Sequence, residues 1–167
     1  AMNAGCYGSE IWSFVKKVKM INADGDLIER NPNDFKVGYR KIQKKNVAEN
    51  FVGAWFSFPK GKKLEAEESI RELLSHRKST QPLSWPSAGS TFKNPDNNHA
   101  AKLIEDCGLK GFKIGDAKIS EKHANFIINL GAARAKDIED LIKYIKKIVF
   151  IETKIKLIPE VEIIGDV

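Results

Sequence analysis

Residues 50–79, NFVGAWFSFPKGKKLEAEESIRELLSHRKS, change character in their middle. The first ten, Asn50 to Pro59, are dense in aromatic side chains and end on a proline, the composition of a strand. After Gly61 the chain turns to strong helix formers. Leu64, Ile70, Leu73 and Leu74 are set there among Glu, Lys and Arg, which predicts a helix from about residue 64 to 77. Before this switch the chain reads mostly as strands; after it, strand and helix are mixed. The expected fold class is therefore α+β: a partial β-rich lobe over 1–63, then an α+β domain over 64–167.

Working outward, the opening AMNAGCYGSEI is unusually rich in small residues for a terminus, where frayed polar sequence is the norm. From Ile11 to Ile28, partial alternation through Phe14, Val15, Val18 and Met20 predicts two short strands joined by a turn at Asn22 to Asp26. NPNDFKVGYRK, 31–41, reads as an irregular connector. On the other side, NHAAKLIEDCG predicts a short helix closed by Gly108, and Asn125 to Leu130 a strand. Ile138, Leu141, Ile142, Ile145, Ile148 and Val149 recur at helical spacing, which predicts a helix from Ala135 to about Ile151. KIKLIPEVEIIG reads as a final strand.

At 167 residues, 42% apolar and 30% charged, the chain has the composition of an ordinary folded protein with room for one good core or two small lobes. It has no apolar run of the roughly 20 residues that span a bilayer and no basic region followed by an apolar signal segment, so a cytoplasmic protein is expected. Cys6 and Cys107 lack partners at metal-ligand spacing and read as free thiols; His76, His99 and His123 suggest no shared metal. The net charge of +6 favours an anionic partner. Its lysines are interleaved with acids along the chain, so neither nucleic acid nor a membrane is expected, while a phosphate-bearing small molecule and a plainly solvated surface both remain open.

No P-loop, GxGxxG, HExxH or GxSxG signature is present. The informative stretch is PSAGSTFKNP, 86–95, in which turn residues between prolines hold small hydroxyls and backbone amides at a defined point. Ser90 has no base nearby in sequence; it either forms the turn or donates a proton. Lys93 and Asn94 bring a charge and an amide donor suited to an anion, and His123 a ring donor. Arg40 offers a planar fork for carboxylate or phosphate if it is not simply a surface residue. Glu160 and Glu162, two apart on the expected last strand, face one side, either solvated or with one in a cleft stabilising a proton donor or a developing cationic charge.

Taken together, MNAGCYG, the Tyr39-Arg40 pair, QPLSWPSAGSTFKNP, AAKLIEDCGLKGFKIGDAKISEKHANFIIN, AKDIEDLI and PEVEIIG closely resemble the second half of the UDP-N-acetylenolpyruvoylglucosamine reductases, bacterial flavoenzymes of peptidoglycan precursor synthesis. The resemblance implies an FAD-binding portion, of which 1–63 is a remnant, and a substrate-binding domain over 64–167 with its final strand near the active site. It implies that NADPH reduces FAD, that a hydride passes to the enolpyruvyl group of UDP-N-acetylglucosamine enolpyruvate, and that UDP-N-acetylmuramate is formed.

Carried over residue by residue, the resemblance makes Ser90 the proton donor. Arg40 and Glu160 polarise the substrate carboxylate and stabilise the enolic intermediate, where an interaction that strengthens in the transition state counts most. Glu160 can do so only if protonated or bridged, because two anions repel. Asn94 and His123 match contacts to the sugar-nucleotide diphosphate, with Lys93 adding charge; Asn3, Gly5, Tyr7 and Gly8 belong to the flavin-facing block. The family's N-terminal FAD-binding segment has no counterpart in these residues, so the expectation is that the chain alone binds FAD weakly or not at all and does not turn over. A noncatalytic sugar-nucleotide-binding module is the alternative. Arg134 stands where a capping hydroxyl is expected before the last helix.

Overall fold

In the computed structural model, which describes residues 1–165, the chain divides into two compact units, Ala1–Leu73 and Leu74 onward. The first unit opens with a hairpin of β1 (Gly5–Cys6) and β2 (Ser9–Glu10). Its two turn residues, Tyr7 and Gly8, have φ of 51° and 77°, the pair of left-handed conformations that a type I′ turn demands. A 3₁₀ turn over Ile11–Phe14 buries Trp12 and leads into β3 (Val15–Ile21), which pairs antiparallel with β4 (Leu27–Arg30). The connecting turn is held by Asn22, whose Oδ1 accepts from the N–H groups of Asp24 (3.0 Å) and Asp26 (2.8 Å).

The 31–41 segment corrects the expectation of an irregular connector. A 3₁₀ turn, Pro32–Asp34, in which Asp34 accepts from the Asn31 N–H at 2.9 Å, is followed by a hairpin of β5 (Phe35–Gly38) and β6 (Lys41–Lys44). Strands of four residues are too short to show a period, and the turn residues Tyr39 and Arg40 lack the Asn-Gly signal that marks a two-residue turn. β7 (Asn50–Phe56) then joins the other edge of β3. Val15, Val18 and Met20 are all buried although 15 to 18 is an odd step. A bulge resolves this: Val15 pairs with Phe56 and Lys17 with Trp55, so β3 carries one extra residue there and changes face. The core of the unit is Trp12, Val15, Val18 and Met20, with Ile28, Phe35, Ile42 and Phe51 packed around them.

The division between the units falls within α1 (Lys63–Thr80), a helix with no buried residue. It contains the span expected to be helical and rests on propensity and on pairs such as Lys63–Glu67 more than on burial. The second unit follows as β8 (Ser87–Ser90), α2 (Ala100–Asp106), β9 (Lys113–Ile114), β10 (Ala117–Ile119), β11 (Phe126–Asn129) and α3 (Ala135–Thr153). The four strands form an antiparallel sheet in the order β8-β11-β10-β9. Phe92, Ile104, Ile119, Ile127, Leu141, Ile145 and Val149 make its core, and the 3.6-residue period of α3 supplies the last three. Gly108, at φ 69°, closes α2 as expected, its N–H reaching the Glu105 carbonyl at 2.8 Å.

The start of α3 needs no hydroxyl at Arg134. Asp137, buried in the first turn, accepts from the Arg134 backbone N–H at 3.0 Å and from its guanidinium at 2.7 Å, which holds the carboxyl below its usual pKa. Gly115 is required opposite it: φ is 54° and a Cβ there would lie 2.7 Å from Asp137 Oδ2.

The expected final strand over 154–165 is a second correction. Among the described residues it forms only a single bridge, Phe92 to Pro159; Pro159 has no N–H with which to extend a ladder. The alternation inferred for Glu160 and Glu162 fails with it, since Val161, Glu162 and Ile163 all line one groove. Among the described residues, no helix is long and apolar enough to cross a membrane, and no cluster of three His, Cys, Asp or Glu side chains could hold a metal ion.

Candidate functional site

The stretch 86–95 is a strand that runs into a buried turn. Ser90 ends β8, half-buried and paired with Phe126 of β11; Gly89 before it has φ 81°. Thr91 and Phe92 are buried, and the chain then crosses the C-terminal segment. The Lys93 N–H donates to the Ile158 carbonyl at 2.9 Å, and the Glu160 N–H donates to the Thr91 carbonyl at 2.8 Å. Ser90, Lys93, Asn94 and Glu160, separated by up to 70 residues in sequence, are thereby tied into one hydrogen-bonded layer. Asn94 Oδ1 accepts from the N–H of Ala100, the first residue of α2, at 3.0 Å. With its oxygen used in this way, the amide NH₂ is the part of Asn94 that can donate to an anion.

His123 lies in the loop before β11. Its backbone N–H donates to the Oγ of the buried Ser120 at 3.3 Å, and its Nδ1 accepts from the Asn125 N–H at 3.3 Å. That second bond assigns the ring proton to Nε2, so the neutral ring is a hydrogen-bond donor. Half-burial pushes the imidazole pKa below its ordinary 6.5.

This has a consequence for stability. As pH falls below 6.5, the unfolded chain takes up the His123 proton before the folded chain does, so stability is fully present above 6.5 and declines from there down to the folded pKa. The slope cannot exceed about 1.4 kcal/mol per pH unit, and solvent screening of the half-exposed ring makes it smaller. Urea midpoints between pH 7.5 and pH 5 are expected to fall more steeply in the native chain than in His123→Gln; equal slopes would refute the assignment.

The remaining candidates belong to the first unit. The Arg40 guanidinium donates to the Gly5 carbonyl at 3.4 Å from both terminal nitrogens and lies 5.4 Å from the Tyr39 ring centre, in a turn where Arg40 itself has φ 51°. Asn3 is fully buried. It donates to Glu10 Oε2 at 2.7 Å and to the Gly38 carbonyl at 3.1 Å, and accepts from the Trp12 N–H at 3.3 Å. Asn3 thus ties the β1-β2 hairpin to the β5-β6 hairpin that carries Arg40. Gly5 is needed by its own hairpin, because a Cβ there would sit 2.7 Å from the Ser9 carbonyl oxygen. Tyr7 is exposed, and a Cβ added at Gly8 would meet no atom within 4 Å, so the tip of this hairpin is open.

Beside the turn, a groove of about 410 Å³ is lined by Ser87, Thr91, Ile127, Asn129, Ile138 and Val161 among others, a mostly apolar wall with a few polar groups. Two further groups support the site without a motif of their own in the sequence. Asn125 is buried and bonded to the Phe92 backbone, and Ser120 supports the His123 loop. The available signal for Asn125 was an amide directly before the apolar run Phe126 to Ile128.

Residues 81–164 match the family described as UDP-N-acetylenolpyruvoylglucosamine reductase, C-terminal domain. The chain is 50% identical to a UDP-N-acetylenolpyruvoylglucosamine reductase from Nitrosomonas eutropha, over 99% of this chain and 52% of that protein. It is 48% identical to the enzyme of the same name from Thiobacillus denitrificans, with the same coverage of 99% and 52%. The crystal structure of UDP-N-acetylenolpyruvylglucosamine reductase (MurB) from Thermus caldophilus superposes with a TM-score of 0.80 at 34% identity, covering 96% of this chain and 57% of that one. The chain spans about half the length of the curated relatives it matches. The matched region 81–164, which contains Ser90, Lys93, Asn94, His123 and Glu160, is half of the chain, and this match shows that the chain belongs to the UDP-N-acetylenolpyruvoylglucosamine reductase C-terminal-domain family.

Proposed function

We propose that this chain is the substrate-recognising part of a reductase that converts UDP-N-acetylglucosamine enolpyruvate to UDP-N-acetylmuramate with FAD and NADPH, an oxidoreductase step of peptidoglycan synthesis. The observation that carries the reading is the layer that joins Ser90, Asn94 and Glu160 through the Thr91 carbonyl and the Lys93 N–H. In this reading residues 1–63 contribute to the FAD-binding portion and residues 64–167 bind substrate. The Asn94 NH₂, the Lys93 ammonium and the His123 Nε2–H bind the diphosphate, one cation with two neutral donors. The Arg40 fork takes the substrate carboxylate, to which charge shifts as the enolic intermediate forms. The Ser90 hydroxyl gives a proton to the substrate carbon next to the one that is reduced. Glu160, together with Arg40, stabilises the enolic intermediate. FAD, when bound, supplies the hydride drawn from NADPH, with Tyr7 and Gly8 as the residues open to it and Asn3 and Gly5 shaping the hairpin that presents them.

The test is a titration of the folded chain with UDP-N-acetylglucosamine enolpyruvate. Saturable binding is expected, weakened about tenfold or more by Asn94→Ala and by Arg40→Ala, because a hydrogen bond to a charged group contributes about 1.5–3 kcal/mol. Absence of binding by a demonstrably folded chain, or binding indifferent to both changes, would reject the reading.

A further inference from the structure

Asn125 makes four hydrogen bonds that converge on the candidate site. Its side-chain Oδ1 accepts from the Phe92 N–H at 2.9 Å and its Nδ2 donates to the Phe92 carbonyl at 2.8 Å. Its backbone carbonyl accepts from the Thr91 N–H at 2.8 Å, and its backbone N–H donates to His123 Nδ1 at 3.3 Å. The residue is only 4% exposed. A carboxamide at this position imitates one peptide group of a missing strand, satisfying both main-chain groups of a residue that turns away from β11 just there.

We infer that Asn125 is the positioning residue of this site: its buried carboxamide fixes the Ser90–Asn94 turn against the segment that carries Glu160, while its backbone N–H sets the His123 tautomer. Thr91 and Phe92 stand between Ser90 and Asn94, and the Thr91 carbonyl receives the Glu160 N–H, so holding these two residues fixes the spacing of the groups on either side. Asparagine is specifically required. An aspartate accepts from Phe92 but cannot donate to its carbonyl, and an aliphatic residue leaves both buried groups unsatisfied. The importance of this arrangement for ligand binding rests on the proposed function; the arrangement itself does not.

The experiment compares the chain with Asn125→Asp and with Ile145→Val, a core change remote in sequence from the turn, by amide hydrogen exchange and ¹⁵N shifts of the His123 ring. In Asn125→Asp near neutral pH, the carboxylate still accepts from the Phe92 N–H but repels the Phe92 carbonyl oxygen and drives the two segments apart. The amides of Phe92, Lys93 and Glu160 are then expected to exchange at least tenfold faster, beyond any change at Ile145 and Val149, and the His123 ring, as the backbone N–H of residue 125 is displaced from Nδ1, to become a mixture of tautomers. A protonated aspartic acid can both donate and accept. Acidification is therefore expected to restore protection at Phe92 in Asn125→Asp towards that of the native chain at the same pH.

A purely structural asparagine would instead raise exchange in equal proportion throughout the second unit, as Ile145→Val does, and that outcome overturns the inference. If Asn125→Asp does not fold, Asn125→Ser, which keeps a hydroxyl, is read in the same way. In the ligand arm, Asn125→Asp is expected to bind UDP-N-acetylglucosamine enolpyruvate at least tenfold more weakly than Ile145→Val; equal affinity also overturns the inference. Failure of the native chain to bind rejects the proposed function alone, since the exchange pattern still decides the role of Asn125.

Discussion

Replacing Phe92 with alanine is expected to destabilise the second unit by about 3–5 kcal/mol, the range for removing a buried aromatic ring. Phe92 is 1% exposed and packs in a cluster with Ile104, Ile119, Ile127 and Leu157. The cost should fall at the high end because the site cannot collapse. The Phe92 backbone is clamped on one side by Asn125 and on the other by the bridge to Pro159, so the vacated volume stays open. Phe92→Leu, which keeps most of the volume, is expected to cost less than about 1.5 kcal/mol. Urea unfolding of the three proteins makes the comparison. A Phe92→Ala loss under about 1 kcal/mol would mean that the surrounding chain relaxes and that the clamps are weak.

The same residue thus belongs to the core and to the frame of the site. Ser90, Lys93, Asn94 and Glu160 lie at the rim of a hydrophobic plug, and the side chains proposed for chemistry inherit their positions from packing one or two residues away. That is a different arrangement from a flexible loop placed over a finished fold. It explains how a turn of small residues can hold groups at fixed separations without a metal or a disulfide among the described residues.

What could be read from the sequence follows from how far each signal reaches. The period of Ile138 to Val149 covers several turns, so α3 emerged at nearly its observed bounds, and the helix formers of 64–77 all lie within α1. The β5-β6 hairpin is not legible in the sequence, because two four-residue strands and an unusual Tyr-Arg turn leave almost no local pattern. Ile155, Leu157 and Val161 alternate as in a strand, while Pro159 limits pairing to a single bridge, so the pattern there exceeds the structure it forms. The bulge in β3 is equally invisible, since it exists only in the register against β7. The candidate residues near Ser90 were legible through family resemblance, whereas Asn125 was not. Its partners are backbone groups 33 residues away, and no side-chain pattern reports a hydrogen bond to a main chain.

Trp12→Ala should be the most damaging single truncation in the first unit, also costing about 3–5 kcal/mol. The unit has a small core, in which Trp12, Val15, Val18 and Met20 are the buried members. The indole meets Phe35 edge-on at 5.1 Å and Phe51 at 6.4 Å, so one ring joins the 3₁₀ turn to β5 and β7. In a domain of this size such a loss is a large share of the total stability. Amide protection at Val18 and Met20, in the centre of β3, is therefore expected to vanish in Trp12→Ala and to persist in Trp12→Phe, which keeps an aromatic ring at the junction. The effect should extend to Arg40. The backbone N–H of residue 12, which the substitution keeps, is the donor to Asn3 Oδ1, and Asn3 in turn binds the Gly38 carbonyl two residues before Arg40, so a first unit that loosens at Trp12 no longer presents the guanidinium at a fixed point. Native-like protection in Trp12→Ala would show that the three-stranded sheet stands without its aromatic junction, and that the position of Arg40 is set by the hairpin turn alone.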